Sequence, residues 1–96
     1  MKVDERMRQA LELDRLDIPP SLHVVEVQVE DYVDTSGEDA LRVTVILHED
    51  TDEFAFKGED IIRLKSSIHR NLRDHGVEVF PYIFLAKKSE LDEIEE

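Results

Sequence analysis

Ninety-six residues, 41% hydrophobic and 38% charged, suffice for one small core under a well-solvated surface. Twenty-four acids against twelve Lys and Arg leave a net charge of −12, which argues against a general nucleic-acid binder, since such proteins need positive charge to displace phosphate counterions. The absence of cysteine excludes disulfides, thiol catalysis and thiolate metal sites. No apolar run approaches the ~20 residues of a membrane span, and the start Met1-Lys2-Val3-Asp4-Glu5-Arg6 lacks the apolar core of a signal peptide, so a cytoplasmic address is expected.

In chain order, Val3, Met7, Ala10 and Leu11 recur at three- and four-residue spacing and predict a first helix over about Val3 to Leu16. Asp4 and Glu5 sit at its start, where the helix dipole favours acids, and Pro19-Pro20 forbid its continuation. The period then changes to two. Val25, Val27 and Val29 alternate with Glu26, Gln28 and Glu30, and beyond a turn at 34–39 containing Gly37, Leu41, Val43, Val45 and Leu47 alternate with Arg42, Thr44, Ile46 and His48. These two runs read as a β-hairpin.

Residues 49–58 form a connector leading to a second helix over about Glu59 to His75. Its apolar stripe is Ile61, Leu64, Ile68 and Leu72, with acids at its start, arginines near its end and Gly76 as its stop. His75 is placed to bond free carbonyls at that end. A last strand, Val77 to Ala86, is apolar on both sides: Val77, Val79, Ile83 and Leu85 on one, Phe80, Tyr82 and Phe84 on the other. Pro81 points to an edge position or a bulge. The expected core is Val3, Met7, Leu11, Val25, Val27, Val29, Leu41, Val43, Val45, Leu47, Ile61, Leu64, Ile68 and Leu72. Residues 89–96 form an acidic tail or one short helical turn after a single α+β domain at 1–88.

The order helix–strand–strand–helix–strand predicts a two-layer α+β sandwich, with a three-stranded mixed sheet and both helices on one face. Whether the last strand joins the first or the second strand of the hairpin is left open by the pattern, although the strand–helix–strand crossover should be right-handed. In element order the chain resembles the small αββαβ domains among KH-like folds and the cytoplasmic domains of cation-efflux transporters. It lacks the Gly-x-x-Gly loop with which KH domains clamp nucleic-acid backbone. Because fold alone carries no activity, this resemblance transfers none.

Charge is uneven: residues 19–56 hold ten acids and one base, Arg42, whereas 57–75 hold five bases and three acids. An acidic hairpin is suited to solubility, and to a basic partner protein. His48-Glu49-Asp50-Thr51-Asp52-Glu53 concentrates ligands that suit a hard cation, but without the alternating acids and central glycine of a calcium loop. A metal-responsive domain using residues 48–53 is therefore the alternative reading, and large stabilisation by metals is not expected. The four histidines form no zinc-binding helical pair, although His23 and His48 lie at paired ends of the hairpin. No serine lies in a nucleophile-elbow signature, and three glycines provide no phosphate loop.

An enzyme is therefore not expected, nor is a cofactor. The remaining feature is the helix-free side of the sheet, where Phe80, Tyr82 and Phe84 would lie beside Arg42 and Ile46. Exposed rings of this kind usually mark an interface, and acidic neighbours favour protein over nucleic acid. The expectation is a protein-binding or regulatory module, its partner a basic protein or a second copy in a homodimer, with no nucleic-acid or membrane partner.

Overall fold

A computed structural model describes residues 3–51 and 58–90. Helix α1 spans Glu5–Ala10 and is followed by a 3-10 turn, Leu13–Arg15; strands β1 (Val24–Val33) and β2 (Asp39–Leu47) form the hairpin; helix α2 (Gly58–Asp74) leads to strand β3 (Phe80–Lys87). The sheet order is β1-β2-β3, with β1 antiparallel and β3 parallel to β2. The undecided position of the last strand is thus beside β2, which becomes the central strand. Consistent with that place, Val43, Val45 and Leu41 on β2 are fully buried, whereas Val27 and Val29 on β1 are only half-buried. The core joins these strand residues to Met7, Ala10 and Leu11 of the first segment and Leu64, Ile68 and Leu72 of α2. This is a two-layer α+β arrangement.

α1 is shorter than its apolar stripe predicts. Asp4 is the N-cap, its Oδ1 accepting from the Met7 amide at 3.1 Å, and the helix ends after six residues. The cause is tertiary. Asn71 of α2 donates through Nδ2 to the carbonyls of Ala10 (3.2 Å) and Arg15 (2.7 Å). A continuing helix would have offered the Ala10 carbonyl to residue 14. Ser67 and Arg63, one and two turns earlier along α2, hold the same connection: Ser67 Oγ accepts from the Asp17 amide at 3.2 Å, and Arg63 Nε donates to Asp17 Oδ2 at 2.7 Å. Residues 63, 67 and 71 share one helical stripe. That stripe fastens the chain between α1 and β1.

In β1 the expected inward Val25 is instead 45% exposed. The β1–β2 register shifts between Val24 and Glu26, and such a bulge inserts one residue, so that Val24 packs on the core in Val25's place. Ile61, also expected inside, is half-buried near the start of α2. Leu16, Leu22, Ala40 and Val77 are buried although the expected core did not include them.

α2 closes as its glycine predicts. Gly76 has φ 77°, its amide reaches the Arg73 carbonyl at 3.0 Å, and the Val77 amide reaches the Leu72 carbonyl at 2.9 Å. This is a Schellman closure. His75 takes its expected capping place, with Nδ1 2.8 Å from the Asn71 carbonyl and Nε2 3.4 Å from Arg15 Nη1. A proton on Nδ1 satisfies both contacts. Because the Val77 amide is committed to the helix end, β3 starts at Phe80 rather than Val77. Pro81 pairs opposite Leu41 without a register break, in an edge strand. Residues 88–90 are helical; the remainder of the expected tail lies outside the described residues.

Candidate functional site on the ring-bearing side of the sheet

The absence of a bulge in β3 decides where its rings point. Pro81, Ile83 and Leu85 face the helices, and Phe80, Tyr82 and Phe84 face the other side. Register then aligns four rows across that side: Tyr32–Ala40–Phe80, Glu30–Arg42–Tyr82, Gln28–Thr44–Phe84 and Glu26–Ile46–Ala86. Tyr82 packs edge-to-face against Phe80, with centroids 4.9 Å apart, and against Tyr32 at 5.3 Å. His69 of α2 continues the series by meeting Phe80 at 5.4 Å. The Arg42 guanidinium lies over the Phe84 ring, 5.4 Å from its centroid, within cation–π range.

Phe80 and Phe84 are 56% and 43% exposed, whereas Tyr82 is half-buried between its neighbours. Arg42 is exposed, but Ile46, expected to share the accessible surface, is only 4% exposed, and Thr44 is similarly covered. Ile46 faces the expected side without offering surface. Accessible ring area is therefore concentrated on the Phe80–Phe84 strand.

Two residues of this cluster were not anticipated. Tyr32 lies beyond the alternating run that defined the first strand, and only the length of β1 brings it opposite Ala40 and beside the ring of Tyr82. Asp34 organises the hairpin turn. Its Oδ1 accepts from the Ser36 hydroxyl (2.7 Å), the Ser36 amide (2.9 Å) and the Glu38 amide (3.0 Å), while Oδ2 receives a longer bond from the Tyr82 hydroxyl (3.4 Å). The Ser36 hydroxyl, then the Glu38 amide, hold the Asp34 carboxyl below its ordinary pKa. Burial, reinforced by the Asp34 charge, pushes the Tyr82 phenol up. Turn residues with an aspartate ahead of a serine carried a signal for this bonding pattern; the reach to Tyr82 carried none.

At the opposite end of the hairpin the expected approach of His23 and His48 occurs. The His48 amide donates to the His23 carbonyl at 2.8 Å, and both Nδ1 atoms face one oxygen of Asp50, at 3.3 Å for His23 and 2.6 Å for His48. These contacts lower the Asp50 pKa, with His23 the larger cause. Glu49 turns away to accept from the Ser89 amide and hydroxyl at 2.6 and 3.0 Å. Asp52 and Glu53 of the metal alternative lie outside the described residues. Among the described residues no group of three or more His, Asp or Glu side chains is placed to hold a metal ion. Likewise, none of their helices is long and apolar enough to cross a membrane.

The geometry thus defines an α+β sandwich with an aromatic, acid-flanked sheet surface. Comparison of the chain with known protein families, with curated proteins and with solved structures returned no match.

Proposed function

We propose that this chain is a protein-binding module whose contact surface is the ring-bearing side of β3, centred on Phe80, Tyr82 and Phe84 with Arg42 beside them. The observation that carries the reading is the exposure of Phe80 and Phe84 on the side of the sheet opposite the core. Leaving ring area in water forgoes burial worth about 25 cal/mol per Å², which a partner would recover. Glu26, Glu30 and Asp34 border the rings, so a phosphate backbone would be repelled and a neutral or basic protein surface accepted.

The test compares the solution mass of the wild type with that of Tyr82→Lys and Phe84→Glu, each checked for folding by circular dichroism, together with hydroxyl-radical labelling of the rings. Association of the wild type, lost in both variants, identifies the partner as a second copy. A monomer with freely labelled rings leaves the surface for a different protein. A monomer whose rings resist labelling overturns the reading.

A further inference from the structure

The core is unfinished along β1. Val27 and Val29 point toward the helical layer yet are half-buried, although their register partners on β2, Val45 and Val43, are fully buried. The helical layer stops short because α1 ends at Ala10. What remains is a cleft of about 470 Å³ lined by Arg8, Leu11, Glu12 and Leu13 of the first segment and by β1. Its walls include every residue from 25 to 29. Successive strand residues point to opposite sides of a sheet, so one cleft touches five in a row by following the strand's edge. β1 is that edge: among the described residues it pairs with β2 on one side only.

We propose that this edge is a second binding site, adjoining the ring-bearing surface along Glu26 and Glu30 but not using its rings, and that its occupant is an extended segment alternating apolar with basic residues, added to β1 as a fourth strand. Backbone pairing along an exposed edge provides affinity, and pockets for alternate side chains provide specificity. On the helical side, apolar residues of the incoming strand fill the cleft over Leu11 and Leu13 and complete the burial of Val27 and Val29. On the other side, Lys or Arg stand beside Glu26 and Glu30, where opposite charges on neighbouring strands attract.

Charge selects this occupant over a second copy. Parallel pairing of two β1 strands in register would oppose Glu26 to Glu26 and Glu30 to Glu30, and antiparallel pairing about Gln28 would oppose Glu26 to Glu30. Each copy also brings a net charge of −12. Acidic side chains on an edge of this kind are a recognised guard against self-pairing.

The probe is a fluorescent peptide of about seven residues, a typical strand length, alternating lysine with valine. Fluorescence anisotropy at low salt should show saturable binding. Affinity should fall roughly tenfold or more when the lysines become glutamates, when alternate valines are N-methylated, or when the protein carries Glu26→Lys with Glu30→Lys. Tyr82→Lys should leave binding within about twofold, separating this site from the ring-bearing surface. Should the double lysine variant not fold, the N-methylated peptide decides on the wild type, because methylation removes strand pairing without changing charge. Absence of saturable binding, equal binding of the N-methylated peptide, or loss of binding in a folded Tyr82→Lys variant would overturn the proposal.

Discussion

Asp34 joins the hairpin turn to the ring cluster through one carboxylate, so its protonation is felt at both places. Its folded pKa lies below the ordinary 3.8, which means that folding favours the charged form. The contribution is complete above that ordinary value and is lost as pH falls through the lowered one. Denaturant midpoints measured from about pH 5 to about pH 2 should therefore fall less steeply for Asp34→Asn than for the wild type. Tyr82 behaves in the opposite sense. With its pKa raised above 10.0, folding favours the neutral phenol, and that contribution is lost as pH rises through the folded value. A tyrosinate absorbance titration should show one ionisation above pH 10 that is absent in Tyr82→Phe. An ionisation lost in Tyr82→Phe that falls at or below the ordinary 10.0 would count against the Asp34–Tyr82 contact.

At the scale of elements, α2 both covers the sheet and organises its neighbours. Leu64, Ile68 and Leu72 face the core, Arg63, Ser67 and Asn71 hold the connection after α1, and the Gly76 closure sets where β3 can begin. A β-carbon at Gly76 would meet only Arg6 Nη1, at 3.4 Å, the movable end of a long side chain. The cost of Gly76→Ala is therefore that of a left-handed backbone, about 1–2 kcal/mol. Gly58→Ala supplies the contrast, because that position is helical and has nothing within 4 Å of an added β-carbon. It should be neutral or slightly stabilising. Urea melts of the two variants side by side check both statements, and equal midpoints would argue against the Schellman closure.

Across the whole molecule the dominant quantity is the charge of −12, to which residues 19–56 alone contribute −9. A compact chain so charged repels itself, and salt shortens the reach of that repulsion from roughly 30 Å at 0.01 M to roughly 8 Å at 0.15 M. Among the described residues, ion pairs with arginine such as Arg6–Asp4 and Arg63–Asp17 are exposed and individually weak. Screening should relieve more repulsion than it removes attraction. The melting temperature should rise with sodium chloride over that range, and a fall would mean that favourable charge pairs dominate.

Much of this architecture was legible in the chain, because alternation and helical spacing report which side of an element is apolar. Val43 and Val45 inward, Phe80, Tyr82 and Phe84 on the opposite side from Ile83, and a helix stopped at Gly76 all follow from contacts between residues near one another in sequence. Other outcomes belong to partners far along the chain. Asn71, 61 positions away, claims the Ala10 carbonyl and shortens α1; the bulge against β2 exchanges Val24 for Val25; pairing with β2 rather than β1 brings Phe84 beneath Arg42; and Ile46 is covered despite its outward parity. A local pattern records the direction in which a side chain points. What meets it there, and whether water still reaches it, is decided only when distant segments pack.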